Sequence, residues 1–339
     1  MLKSGVVTRA GLKRPTTWFG KKRHVSFLLL MDLARRQDTT PEEYDRFVEQ
    51  VRMPNGVWKR TARGRLAVLD AIVLDLLRER FPAGSALKVL DLAASTGVTS
   101  VDFYRTLSSV FSVEFIASDL YRDLIAVRPV RWPWVGIFDT SGQPIQYIMP
   151  GLVLPAQIEE SRVYPINRLL KRLGRTLFLP RSRAAIDRSR SLPLAPFESV
   201  ETDGYSLTRL PLLSKDCLDI LRTNPRFRFE VGNILETLPH RGHVVRAMNI
   251  LTKDHFPDEQ RARAIQNCLD ATLPNGLFVI GWSPTPNPKT VEASVYEVRE
   301  SGLCRLTSTN GGSEIDRIVE RVAPVCAFRR QDVPSSKAG

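Results

Sequence analysis

Two carboxylates and a short run of small residues are the groups in this sequence best spaced for chemistry. Asp91 stands near the end of the aliphatic run LKVLDL. The loop Ala93-Ala94-Ser95-Thr96-Gly97 follows with almost no side chains, and a helical pattern begins after it. About 20 residues beyond Gly97 a second aliphatic run, 113–118, ends on Asp119. An acid at that place accepts hydrogen bonds from ribose hydroxyls in nucleotide-binding α/β sheets. Such sheets hold their ligands outside the carboxyl ends of the strands, where strand order reverses. A plain tight turn between strand and helix has the same local pattern. What separates the two readings is that Asp119, Asn233 and a C-terminal hairpin follow in the order a ligand-binding sheet requires.

Loop composition selects the ligand. A dinucleotide needs its pyrophosphate against backbone amides, hence the three glycines of GxGxxG. This loop has one glycine, Gly97, with an acid, Asp91, just before it. A pyrophosphate would meet methyl groups and an unfavourable charge. S-adenosylmethionine carries no phosphate, and its sulfonium and α-amino groups are both cationic, so a nearby acid is favourable. The residues therefore point to S-adenosylmethionine as cofactor.

The elements that must hold these groups show in periodicity and punctuation. In TPEEYDRFVEQV, Thr40 is placed to cap a helix, Pro41 suits its first position and Glu43 completes a capping box. Tyr44, Phe47, Val48 and Val51 fall on one face. GRLAVLDAIVLDLLRERF reads as a second helix, closed by Pro82 and Gly84. Strands and helices then alternate, which predicts an α/β fold with a Rossmann-like, doubly wound, mainly parallel sheet. Its strands are expected at 87–92, 113–118 and 227–231, then in HVVRAMNI and LFVIGW, with a helix over about 258–273 and a C-terminal β-hairpin turning at Ser301-Gly302. This rhythm stops over residues 127–215. A short hairpin turning at Ser141-Gly142 is expected there. A helix in PINRLLKRLGRTLF follows, with Ile166, Leu169, Leu170, Leu173 and Leu177 on one face and Arg168, Lys171, Arg172 and Arg175 on the other. The organisation expected is a basic tail and helical N-terminal region (1–84), a core (85–126 and 216–331) and a large basic insert after the second strand (127–215).

Charge bounds the partners. The 339 residues include 49 Lys and Arg against 36 Asp and Glu, a formal charge of +13 that biases the chain toward anionic partners. The excess collects before Asp32 and over 162–190, where Asp187 is the single acid. That second block is read as a lid on the active site, with an anionic membrane surface or nucleic acid as further partners. Trp132, Trp134 and Tyr147 lie upstream of the basic helix and not within it, which weakens nucleic acid. Cys217, Cys268, Cys304 and Cys326 form no CxxC pair, and four histidines form no zinc signature. Neither a metal site nor a disulfide frame is expected, and the setting expected is cytoplasmic, with peripheral membrane attachment through the insert as a variant.

Taken together, VLDLAASTG, SDLY, GNIL, RAMNIL and LPNGLFVIGWS resemble the class I S-adenosylmethionine-dependent methyltransferases, over about 86–234 and on to the hairpin. The layout is similar to that of the chemotaxis-receptor glutamate methyltransferases, and NILTKDHFPDEQRARAIQNCL carries the nearest part of the likeness. The resemblance implies S-adenosylmethionine-dependent methyl transfer. It puts Asp91, Ala93, Ser95 and Gly97 beneath the methionine part of the cofactor, with Thr99 beside them, and Asp119 on the ribose hydroxyls. Leu120 would then pack on the adenine, Asn233 and Ile234 would meet its amino edge and face, and Asn249 would lie near the sulfonium. The sequence departs from the receptor enzymes at Met248, where they carry arginine, and at Leu251-Thr252, where they carry an aromatic residue. The motif [DNS]PP[YFW] of amino-group DNA methyltransferases is missing after the fourth strand. The acceptor stays open between a small molecule or macromolecule held under the insert and an RNA or protein drawn to the basic surface. A catalytically degenerate S-adenosylmethionine-binding scaffold is the remaining alternative. His255 is either a general base or a surface residue opening a helix. Arg246 pairs either with an anionic acceptor or with a neighbouring carboxylate. Trp58 and Arg60, in NGVWKR, either contact substrate or pack.

Overall fold

The computed structural model describes residues 7–8, 11–12, 16–17, 20–23, 26–36, 38–49, 59, 61–149, 152–156, 169–170, 172–176, 178, 186–187, 195–202, 204–253, 256–284 and 287–326. They form two compact units, Met1–Arg60 with Tyr121–Lys215, and Thr61–Leu120 with Asp216–Gly339.

The first unit opens with short antiparallel pairs, β1 (Val7–Thr8) with β2 (Gly11–Leu12) and β3 (Thr16–Thr17) with β4 (Gly20–Arg23). Helices α1 (Leu29–Arg35) and α2 (Pro41–Val48) follow. The capping box at the start of α2 is formed: the Thr40 hydroxyl accepts from the Glu43 amide at 3.2 Å, and the Glu43 carboxylate accepts from the Thr40 amide at 3.4 Å. Tyr44, Phe47 and Val48 are buried as their spacing requires, while Val51 lies outside the described residues.

The second unit opens with helix α3 (Ala67–Arg78), and β5 (Ala86–Leu92), α4 (Val98–Ser108) and β6 (Ser112–Asp119) come in succession. The chain then returns to the first unit for β7 (Asp123–Pro129), β8 (Val135–Asp139), β9 (Pro144–Met149), β10 (Leu152–Pro155), β11 (Ser199–Thr202) and β12 (Tyr205–Pro211). These build a six-stranded antiparallel sheet in the order β10-β9-β8-β7-β12-β11. The expected hairpin at Ser141-Gly142 is the β8–β9 turn. There one Asp139 carboxylate oxygen accepts from the Ser141 amide, the Ser141 hydroxyl and the Gln143 amide at 2.7–2.9 Å, and Gly142 is left-handed at φ +83°.

Most of this sheet was not expected from the sequence. The helical segment between β10 and β11 also presents a different face from the one expected. Leu169 and Leu173 are 65% and 43% exposed, whereas Gly174 and Phe178 are buried and Leu170 packs beside them. Glycine decides this orientation. A Cβ on Gly174 would sit 3.0 Å from the Tyr147 ring, and Phe178 stacks on that ring at 5.9 Å between centroids. Ile166 and Leu177 lie outside the described residues.

The second unit continues with α5 (Lys215–Thr223), β13 (Phe227–Val231), β14 (Gly242–Met248), α6 (Asp258–Asp270) and β15 (Thr272–Trp282). It ends with β16 (Glu292–Arg299), β17 (Gly302–Thr309), α7 (Asp316–Val322) and β18 (Val325–Cys326). The eight strands run β13-β6-β5-β14-β15-β16-β17-β18, parallel from β13 to β15, and β16–β17 is the expected antiparallel hairpin. The fold is thus a mixed α/β, Rossmann-like arrangement around a mainly parallel central sheet. Helix α6 stops at Asp270, short of the expected 273, because the chain enters β15 at Thr272, whose hydroxyl donates to the Cys268 carbonyl at 2.8 Å.

Apolar residues cover both faces of this sheet, which is why its strands read as continuous hydrophobic runs. Val245, Ala247, Phe278 and Ile280 pack with Ile265 and Cys268 of α6 and with Val319 of α7. Elsewhere Phe115 stacks on Phe227 at 5.2 Å, with Phe103 and Tyr104 edge-on to Phe115.

Candidate functional site

Five parallel strands end at one edge of the second unit, and strand order reverses between β5 and β14. β5 connects outward to β6 and β13 on one side, β14 outward to β15 on the other. That is the switch point at which a ligand sits in sheets of this kind.

The loop 93–97 leaves β5 at this switch with three left-handed residues in alternation, Ala93 (φ +55°), Ser95 (φ +57°) and Gly97 (φ +79°). For alanine and serine this conformation costs of order 1–3 kcal/mol each and persists only where surroundings enforce it. Here the enforcing contacts come from β6. The Ala94 amide donates to the Ser118 carbonyl at 2.9 Å, and the Ser95 amide to an Asp119 carboxylate oxygen at 2.8 Å. Asp119 therefore fixes the loop as well as presenting charge at the end of its strand. Gly97 is required twice over, since a Cβ there would lie 2.6 Å from the Cys217 sulfur. Gly97→Ala is expected to cost about 1–3 kcal/mol, measured as a lowered denaturant midpoint. An unchanged midpoint would mean the loop does not take this path.

Around Asp119 the surface is apolar. Leu120 is 44% exposed, and Val231, the register partner of Asp119 on β13, is 51% exposed. Asn233 sits at the same edge but turns inward on its own loop. Its Oδ1 accepts from the Leu235 amide at 3.1 Å, and its Nδ2 donates to Glu236 at 2.9 Å. Ile234 packs into the core with α6 and is 8% exposed. Asn249, left-handed at φ +62°, ties the end of β14 to β15 by accepting from the Ser283 amide at 2.6 Å.

The Arg65 guanidinium donates to the Ser283 carbonyl at this edge, and its Nε is buried without a partner among the described residues. Burial lowers its pKa from the usual arginine value. Nothing in the basic run KRTARGR distinguished Arg65 from its neighbours, so sequence reasoning passed over it.

Asp91 and Arg246 pair with each other in the interior of the unit. Neither faces the edge. Arg246 is 0% exposed and forms a bidentate pair with Asp91 (2.8 and 2.7 Å), a bond to Asp70 (2.7 Å) and one to the Thr99 carbonyl (3.0 Å). Its guanidinium lies 4.2 Å from the centroid of the Phe103 ring, and Asp91 also accepts from the Ser100 hydroxyl at 2.6 Å. Of the two roles considered for Arg246, pairing with a neighbouring carboxylate is the one realised. The role of Thr99 in this network is played by its backbone carbonyl.

Two carboxylates share one guanidinium in this enclosed space, and burial pushes the Asp70 carboxyl up to about 7 against the pull of Arg246. A carboxyl that binds its proton more tightly when folded stabilises the fold below its unfolded pKa. That contribution is lost as pH rises through the folded value. Thermal stability is thus expected to fall between about pH 4 and pH 7, by of order 2–4 kcal/mol in all. Asp70→Asn is expected to remove most of that slope in thermal melts across this range, and an undiminished slope in the variant would exclude Asp70 as its source.

Trp58, Arg60 and His255 lie outside the described residues. Among the described residues no group of His, Cys, Asp and Glu could hold a metal ion. No helix there is long and apolar enough to cross a membrane.

No protein-family model and no curated protein matches the chain. Solved structures align with part of the chain. TrmN from Thermus thermophilus is 12% identical over 70% of this chain and 48% of its own, with a TM-score of 0.30. An amino pentose methyltransferase of calicheamicin biosynthesis from Micromonospora echinaspora, S-adenosylmethionine bound, is 12% identical over 70% of this chain and 65% of its own, at 0.27. A second methyltransferase of calicheamicin biosynthesis, in its S-adenosylhomocysteine-bound form, is 15% identical over 64% and 37%, at 0.27. The chain thus spans between about a third and two thirds of these structures. At such identities and scores, the fold assignment rests on the strand order and directions seen in this chain itself.

Proposed function

We propose that the chain binds S-adenosylmethionine at the carboxyl edge of its parallel sheet and transfers the methyl group to an acceptor. The observation that carries this reading is the pairing of the 93–97 loop with Asp119. The Ser95 amide is already committed to the Asp119 carboxylate, so it is not offered to a pyrophosphate. The buried group of Asp70, Asp91 and Arg246 next to the loop carries no net charge or one negative charge, depending on the Asp70 proton. Both features disfavour a diphosphate and suit a ligand with cationic methionine atoms and a ribose.

In this reading Asp119 accepts from the ribose hydroxyls, and Leu120 with Val231 supplies an apolar shelf for the adenine. Ala93, Ser95 and Gly97 shape the floor of the methionine end, near Asn249. The loop that Asn233 braces borders the adenine edge in this reading. Asp91 acts through Arg246, holding the β5–β14 switch. When bound, the cofactor supplies an electrophilic methyl group, so the protein's task is alignment and exclusion of water. The acceptor is a small molecule or a macromolecule. The basic stretch 162–190, most of it outside the described residues, is the part of the chain suited to an anionic one. A panel of S-adenosylmethionine, S-adenosylhomocysteine and NAD in a thermal-shift assay tests the cofactor. The first two are expected to raise the melting temperature and NAD is not. Stabilisation by NAD alone would overturn the reading.

A further inference from the structure

The six-stranded sheet of the first unit uses its two faces differently. Ile125, Val127 and Leu207 point to the face covered by Phe178 and Ile186. The alternate residues Ala126, Arg128, Ser206 and Thr208 occupy the opposite face, with Ala126 beside Thr208 and Arg128 beside Ser206 in the ladder. Helix α1 crosses this second face and leaves a cleft of about 370 Å³ between itself and the strands.

The lining of the cleft is graded. Its floor is aliphatic and buried, made by Leu29, Ala126, Val135 and Ile148. Along one side runs a row of hydroxyls, Ser199, Ser206 and the buried Thr208, with the Ser199 and Thr208 oxygens 2.7 Å apart. The exposed rim carries two guanidinium groups, Arg35 and Arg128, against one carboxylate, Asp32. Among the described residues neither arginine makes an ion pair. Polar and apolar residues share this lining about equally, and small-ligand sites likewise set apolar walls against convergent polar groups that fix orientation. A planar, two-pronged donor at the rim matches a carboxylate with two parallel hydrogen bonds.

We propose that this cleft is a binding site for a small amphiphilic carboxylate. The aliphatic body of the ligand lies against Leu29, Ala126, Val135 and Ile148, and its carboxylate meets Arg35 and Arg128. The inference stands on residues 26–35 and 126–208 alone and needs neither S-adenosylmethionine nor methyl transfer.

Calorimetric titration of the full chain with decanoate, decanol and decyltrimethylammonium tests it, since the three share one body and differ in charge. Decanoate is expected to bind at one site per chain, at least ten-fold more tightly than decanol, with the cation weakest. Arg128→Glu, a change on an exposed residue, is expected to weaken decanoate at least ten-fold while leaving the melting temperature and decanol binding within error. Ala126→Leu, which fills the floor, is expected to weaken both decanoate and decanol. Three results would each overturn the proposal: no saturable decanoate binding by the folded chain, binding of all three probes within three-fold of one another, or decanoate affinity unchanged by Arg128→Glu. S-adenosylmethionine binding is read separately, so loss of one conclusion leaves the other standing.

Discussion

Replacing Arg246 by methionine is expected to destabilise the second unit by about 3–5 kcal/mol, the usual cost of removing one partner from a buried ion pair. The guanidinium is enclosed, and all of its charge is spent on Asp70 and Asp91, which are 3% and 4% exposed through their side chains. Methionine matches its volume roughly but leaves two buried carboxylates facing each other without a cation. At least one must then take up a proton, so the loss is expected to be larger at pH 8 than at pH 5. At roughly 2–4 °C per kcal/mol for a domain of this size, the melting temperature should drop by about 10 °C. The triple replacement Asp70→Asn, Asp91→Asn and Arg246→Met is expected to recover much of the loss, because it removes the charges along with their partner. A single-variant melting temperature within 2 °C of the parent would show that the cluster is not closed as described.

The same cluster shows where the sequence was legible and where it was not. An arginine within VVRAM, otherwise apolar and central to a parallel sheet, announces a buried partner. Asp91 in the neighbouring strand is a register mate of Arg246 and within reach of reasoning. Asp70 lies 176 residues away on a helix, and no spacing rule connects the two. The parallel strands were readable because burial on both faces makes them continuous aliphatic runs, and α2 because its capping box is local. The insert was not, for an equally physical reason. Strands β7, β8 and β9 are buried on both faces, so they lack polar alternation, and their lengths fit loops rich in proline and aromatics as well as strands. As a sequence pattern, Asp203-Gly204 is a hairpin signal, obscured by the basic and proline-rich residues before it, and β11 and β12 are the antiparallel pair on either side. Gly97 heads α4 and Asp119 ends β6, as the local pattern reads. The packing of Ile234 against α6 is not announced locally, since an isoleucine just past a strand serves core and surface equally well in sequence.

Asp119 carries the second large expectation. Its carboxylate holds the Ser95 amide and, in the reading proposed, also accepts from the ribose of S-adenosylmethionine. Hydrogen bonds to a charged group contribute about 1.5–3 kcal/mol each. Asp119→Ala therefore removes the ribose contacts and loosens the loop together, and cofactor affinity is expected to fall at least 100-fold. Asp119→Asn keeps an acceptor for the Ser95 amide but loses the charge, and an intermediate loss of about ten-fold is expected. The graded pair separates ligand contact from loop support, because a purely structural Asp119 would leave the asparagine variant near the parent.

The most direct measurement is calorimetric titration of the purified chain with S-adenosylmethionine, repeated with Asp119→Asn and Asp119→Ala after each is shown to fold. Saturable binding at one site per chain, weakened about ten-fold by asparagine and abolished by alanine, is the expected result. A folded parent protein that takes up no S-adenosylmethionine, or one whose affinity is untouched by both substitutions, would contradict the assignment of the carboxyl edge as the cofactor site.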